Sequence, residues 1–131
     1  MGSHWTAWVT LAALVMYAWL IYNVGKARGK FGINAPCCDG PVEFQSVLRV
    51  QANTVEQMVA FFPALWVCAV FYNDVFAAVS GAIWIVGRVL YAVGYYAEPK
   101  KRSAGFLVST LGIALLMGGT AFGLIVRSLP I

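Results

Sequence analysis

The stretch Arg49-Val50-Gln51-Ala52-Asn53-Thr54-Val55-Glu56-Gln57-Met58-Val59-Ala60-Phe61-Phe62-Pro63 places Arg49, Gln51, Asn53 and Glu56 at the mouth of a run that then stays apolar to Tyr72. At about 100° per residue, Arg49, Asn53 and Glu56 return to nearly one azimuth of a helix, while Gln51 points the other way. Polar groups in hydrocarbon cost several kcal/mol unless paired or wetted, so such a stripe on a membrane helix marks a candidate site.

The membrane reading follows from the rest of the chain. Its 131 residues are 61% hydrophobic and 11% charged, with a mean hydropathy of +0.77, against about 25% charged in an ordinary globular domain. Trp5 to Val24 and Ser103 to Val126 carry no charge and exceed the roughly 20 residues that cross a hydrocarbon core. Two further apolar segments run from about 44 to 72 and 75 to 97. The expectation is an all-α membrane protein of one domain, residues 1–131, with helices at about 5–24, 44–72, 75–97 and 103–126. No basic run followed by a small-residue cleavage site is visible, so the first segment is expected to remain in the mature protein. Met1 to Thr6 formally fits a myristoylation pattern, but Met-Gly-Ser-His also reads as a cloning remnant, and no lipid is expected there.

Lys26, Arg28 and Lys30 are expected to end the first helix. Gly32, Pro36, Gly40 and Pro41 then make an ordered loop. Pro63 removes a backbone hydrogen bond and is expected to bend the second helix. Gly119 and Gly123, with Gly105 and Ser109, supply small-residue spacings suited to close helix contact. Cys37 and Cys38 are adjacent, a geometry that disfavours a disulfide, and with Cys68 they are expected to be reduced. The chain has no CxxC and a single histidine, His4, so no metal site is expected.

Positive charge fixes an expected orientation. The first connection holds Lys26, Arg28, Lys30 and Arg49, the third Lys100, Lys101 and Arg102, and the second none, which places the first and third in the cytoplasm. Arg49, Asn53 and Glu56, early in the second helix, then share a depth with Arg88, Tyr91 and Tyr95, late in the third. A Glu56–Arg88 ion pair is expected, whether as a fastening of the bundle or as part of a site. Arg28, Arg49 and Arg102 suit carboxylates, and Glu56 and Asn53 suit an amino group or amides. Together they fit a small zwitterion with more than one carboxylate, meeting a lipophilic co-substrate at the membrane surface.

The motifs Gly40-Pro41-Val42-Glu43-Phe44, Arg49-x-Gln51-x-Asn53-x-x-Glu56 and Arg88-x-x-Tyr91-x-x-Gly94-Tyr95, followed by Arg102, resemble those of the membrane-associated proteins of eicosanoid and glutathione metabolism. This family includes microsomal glutathione transferases and leukotriene-C synthase. The resemblance implies a homotrimer with glutathione bound between subunits: Arg49, Asn53, Glu56, Tyr91 and Tyr95 from one chain, Arg28, Gln51 and Arg102 from the next. It also implies that Arg102 stabilises the glutathione thiolate. Glutathione is then a co-substrate, and the other partners are a lipophilic electrophile or lipid hydroperoxide and membrane lipids, with no nucleic acid. Gln57 stands where leukotriene-C synthase has tyrosine, and Gly29 where it has a second arginine; the Gln57-Met58 region is closer to bacterial members, which implies a bacterial inner membrane. The activity implied is that of a glutathione transferase or peroxidase. A non-catalytic lipid-binding scaffold and a small transporter subunit are the competing readings.

Overall fold

Four helices, each long and apolar enough to cross a membrane, make up nearly all of the computed structural model, which describes residues 4–130. They are α1 (His4–Phe31), α2 (Val42–Phe71), α3 (Asp74–Ala97) and α4 (Ser103–Ser128), with a 3-10 turn at Pro99–Arg102. Met1, Gly2 and Ser3 of the Met1–Thr6 pattern lie outside the described residues.

α1 ends seven residues beyond the expected Val24. Lys26, Ala27, Arg28 and Lys30 are good helix formers, and cations in a last turn complement the partial negative charge of the helix end, so the helix outlasts its uncharged part. α2 passes through Pro63 as one continuous helix. The connection to α3 is only Tyr72 and Asn73. Asn73 caps α3, its Oδ1 accepting from the Phe76 amide at 2.8 Å, while the exposed end of α2 is met by Arg127, whose Nε donates to the Phe71 carbonyl at 3.2 Å. Asp74 fastens the other end of α1: its carboxylate accepts from Thr6 Oγ1 at 2.7 Å and from the amides of Thr6 and Trp5 at 3.0 and 3.3 Å. A carboxylate there satisfies orphan amides and faces the positive end of the helix.

α3 is the inner helix, burying nine of its 24 residues, and it packs most closely on α4. Lipid tails are as apolar as side chains, so the contact is gained from close backbone approach rather than from water exclusion. Gly105 and Gly112 supply that approach, since a Cβ on either would strike the α3 backbone at Tyr91 or Trp84, and Gly123 sits in the same way against the end of α2 at Phe71. The small residues anticipated on α4 thus seat it on its own chain. Between α2 and α3, Phe61 and Trp84 stack with centroids 3.9 Å apart and planes 11° from parallel, both fully buried.

Candidate functional site

The late turns of α3 and the first half of α2 meet at the depth expected. Asn53 Nδ2 donates to the Tyr91 hydroxyl at 2.8 Å. Tyr91 and Tyr95, four residues apart on α3, meet edge-on with centroids at 5.6 Å. The Arg102 guanidinium carbon lies 5.5 Å from the centre of the Tyr95 ring, held there by an Nη1–H bond to the Pro99 carbonyl at 2.8 Å. Below Tyr91, the Arg88 guanidinium lies 4.0 Å over the ring. Arg102, Tyr95, Tyr91 and Arg88 therefore form one ladder, two adjoining rings with a cation at each end, each cation facing a ring's negative quadrupole, with Asn53 joined to it from α2.

A cavity of about 430 Å³ opens beside this ladder, lined by Asn53, Glu56, Gln57, Arg88, Tyr91 and Phe106 among others. Phe106 also lines an adjoining cavity of about 480 Å³ that reaches Arg102. Five of the eight expected site residues, Asn53, Glu56, Tyr91, Tyr95 and Arg102, thus gather on one side of the chain, with Arg102 beside its own chain's Tyr95 where the resemblance implied that a neighbouring chain supplies it. Arg49 is exposed one turn before Asn53. Arg28 and Gln51 lie elsewhere. Arg28 Nη1 donates to the carbonyls of Cys37 and Ile33 at 2.8 and 3.4 Å and sits 5.5 Å over Phe44, closing the first connection. Gln51 Nε2 donates to the Tyr17 hydroxyl of α1 at 2.6 Å.

One expectation is overturned. Arg88, only 1% exposed, takes its polar partners from hydroxyls: Nε and Nη2 donate to Thr54 Oγ1 at 3.2 and 2.9 Å, and Nη1 to Ser109 Oγ at 3.5 Å. Glu56 lines the same cavity but is exposed. The reason is azimuth: Thr54 is buried and turned toward α3, whereas Glu56, two residues on, is rotated about 200° from it. Gln57, one of the departures, is also engaged, its Oε1 accepting from the Trp84 indole at 3.0 Å. Thr54, Ser109 and Phe106 were not among the expected site residues.

The MAPEG family model matches residues 6–122. An uncharacterised protein of Synechocystis is 41% identical over 121 residues, covering 92% of this chain and 88% of its own length. Human microsomal glutathione S-transferase 2 is 39% identical over 109 residues, 83% of this chain and 74% of that protein. Mouse leukotriene C4 synthase is 33% identical over 124 residues, 95% and 83% of the two chains. The chain belongs to the MAPEG family. It is an integral membrane protein, a four-helix bundle, and this MAPEG protein carries its Arg49–Glu56 and Arg88–Tyr95 stretches on α2 and α3, which line the cavity together with Phe106 and Ile113 of α4.

Proposed function

We propose that this MAPEG protein is a glutathione transferase whose α2–α3 cavity holds glutathione with its sulfur toward Arg102. The observation that supports the reading is the ladder from Asn53 through Tyr91 and Tyr95 to Arg102 beside an open cleft: Asn53, Glu56 and Tyr91 bring an amide, a carboxylate and a hydroxyl to one cavity, and Arg102 brings a guanidinium to the adjoining one. Glu56 and Asn53 receive the amino group and peptide amides, while the carboxylates take Arg49 and the tyrosine hydroxyls. Arg102 is the catalytic residue. A cation beside the thiol favours its charged form, drawing a pKa of about 8.5 toward neutrality. The thiol proton leaves to solvent, the thiolate attacks an electrophilic carbon, the C–S bond forms and the leaving group departs as an anion. With a lipid hydroperoxide the thiolate sulfur attacks the terminal oxygen instead, the O–O bond breaks, the lipid alkoxide leaves as the alcohol on taking a proton, and a second glutathione reduces the resulting sulfenic acid, giving the disulfide and water. The lipophilic substrate reaches the sulfur past Phe106 and Leu107, both exposed on α4.

The assembly we infer is a homotrimer, in which Arg28 and Gln51 serve the neighbouring chain's glutathione. Their bonds to Cys37, Ile33 and Tyr17 engage one guanidinium nitrogen and the amide nitrogen, leaving Arg28 Nη2 and Gln51 Oε1 as the groups to offer. The site faces the cytoplasm of a bacterial cell, by the charge of the first and third connections.

Purified protein is expected to conjugate a halonitrobenzene with glutathione. Arg102→Ala should lower kcat about a hundredfold, the scale of removing one charge-stabilising donor, with Arg102→Lys recovering part of it. The pH profile supplies the sign: the cation lowers the thiol pKa, so the rate's rise with pH should move upward, toward about 8.5, in Arg102→Ala. An unchanged rate and profile in that variant removes Arg102 from the chemistry.

A further inference from the structure

A further cavity, of about 480 Å³, lies between α1, α2 and another side of α3, apart from the glutathione cleft, and is lined by Trp19, Asn23, Lys26, Lys30, Glu43 and Tyr96 among others. Tyr95 and Tyr96 are consecutive, about 100° apart on the helix; the first belongs to the ladder, and the second turns to α1, where its hydroxyl accepts from Asn23 Nδ2 at 3.2 Å. Trp19 leans on the same ring with centroids at 6.3 Å.

The lining is graded along α1. Trp19 lies in the uncharged part of the helix; Lys26, seven residues on, is about 10 Å further along the axis, where charge begins, and Lys30 is one turn beyond. This is the spacing from the upper acyl chains of a bilayer to its phosphates, with the aromatic pair at the depth that tryptophan and tyrosine favour. Both ammonium groups are exposed, and their described contacts are with rings, Lys26 at 5.7 Å over Tyr22 and Lys30 at 5.3 Å over Phe31. Glu43 faces them from the first turn of α2.

We propose that this cavity seats one anionic phospholipid, its phosphate between Lys26 and Lys30 and an acyl chain along Trp19 and Tyr96. Basic recesses between membrane helices at the headgroup level suit such ligands. Glu43 sets the headgroup class. Its carboxylate opposes a bare phosphate monoester but accepts a hydrogen bond from a hydroxyl beyond the phosphate, so a glycerol-bearing headgroup is preferred over phosphatidic acid. The inference requires only that the chain is membrane-embedded and stands apart from glutathione chemistry.

Native mass spectrometry of the detergent-purified full chain, titrated with phosphatidylglycerol, phosphatidic acid, phosphatidylcholine or water-soluble glycerol phosphate, tests it. Phosphatidylglycerol should be retained about thirtyfold more tightly than phosphatidylcholine, the scale of two near-surface lysines, with no competition from glycerol phosphate. Lys26→Gln with Lys30→Gln should abolish that preference and leave glutathione binding, read by calorimetry, unchanged. Glu43→Gln should narrow the gap between phosphatidylglycerol and phosphatidic acid. Equal retention of all lipids by the unaltered protein, a preference that survives loss of both lysines, or competition by glycerol phosphate each overturns the proposal; the first needs no variant to fold.

Discussion

Arg88 shows how a membrane protein keeps a full charge among apolar side chains. Its partners are two hydroxyls and an aromatic face, and Thr54 alone takes two of its N–H groups. Thr54→Val preserves shape and removes that acceptor, leaving a buried charged donor short of a partner, which costs about 1–3 kcal/mol. A lowered midpoint of denaturant unfolding in detergent is expected, with Thr54→Ser close to the original protein; an unchanged midpoint in Thr54→Val would mean that Ser109 and Tyr91 suffice. Thr54 also shows where sequence reading runs out. Asn53, Glu56, Tyr91 and Tyr95 stand out in an apolar helix because an amide, a carboxylate or a repeated phenol is costly or uncommon there. A threonine does not, since its hydroxyl can bond a carbonyl of its own helix one turn back, as Thr10 does with Thr6 at 2.9 Å.

Among the elements, α4 separates glycines that are needed from one that is not. Gly112 lies against the backbone at Ser80 and Trp84, while a Cβ on Gly118 meets nothing within 4 Å. Gly112→Ala should lose about 1–3 kcal/mol through forced separation of α3 and α4, whereas Gly118→Ala should gain up to about 1 kcal/mol of helix propensity. Unfolding midpoints moving in opposite directions check both. The α1 end offers a milder test: Asp74→Ala removes the acceptor for the Trp5 and Thr6 amides, worth about 1 kcal/mol, and hydrogen exchange there should quicken roughly fivefold. Existence and order of all four helices were legible from hydropathy. The end of α1 was not, because Lys26 to Lys30 mark where the membrane stops, and a helix of good formers is free to continue past that boundary.

At the scale of the whole molecule, the charge on the connections makes an orientation testable. Cys37 and Cys38 are exposed in the first connection and Cys68 is buried. A membrane-impermeant maleimide should label the first two in inside-out vesicles and not in right-side-out ones; the reverse pattern would invert the topology and place the site outside. The half of the site carried by α2 and α3 was legible because helix periodicity and a shared depth bring Asn53 and Tyr91 together within one chain. The placement of Arg28 and Gln51 was not, since periodicity shows only that Gln51 turns away from Arg49, and what it turns toward, the Tyr17 hydroxyl, depends on where α1 packs.

The two-residue link at Tyr72 and Asn73 bears on biogenesis. A single segment carrying Arg88 near its middle would pay about 2.5–3.5 kcal/mol on leaving the translocon for lipid. With so short a link, α2 and α3 have to exit side by side, and Thr54 accompanies the arginine into the bilayer. Fused to a reporter of glycosylation, α3 alone is expected to integrate less completely than the α2–α3 pair, and Thr54→Val should erode the difference. The tight hairpin is thus an insertion unit, by which one helix carries its neighbour's charge across the threshold.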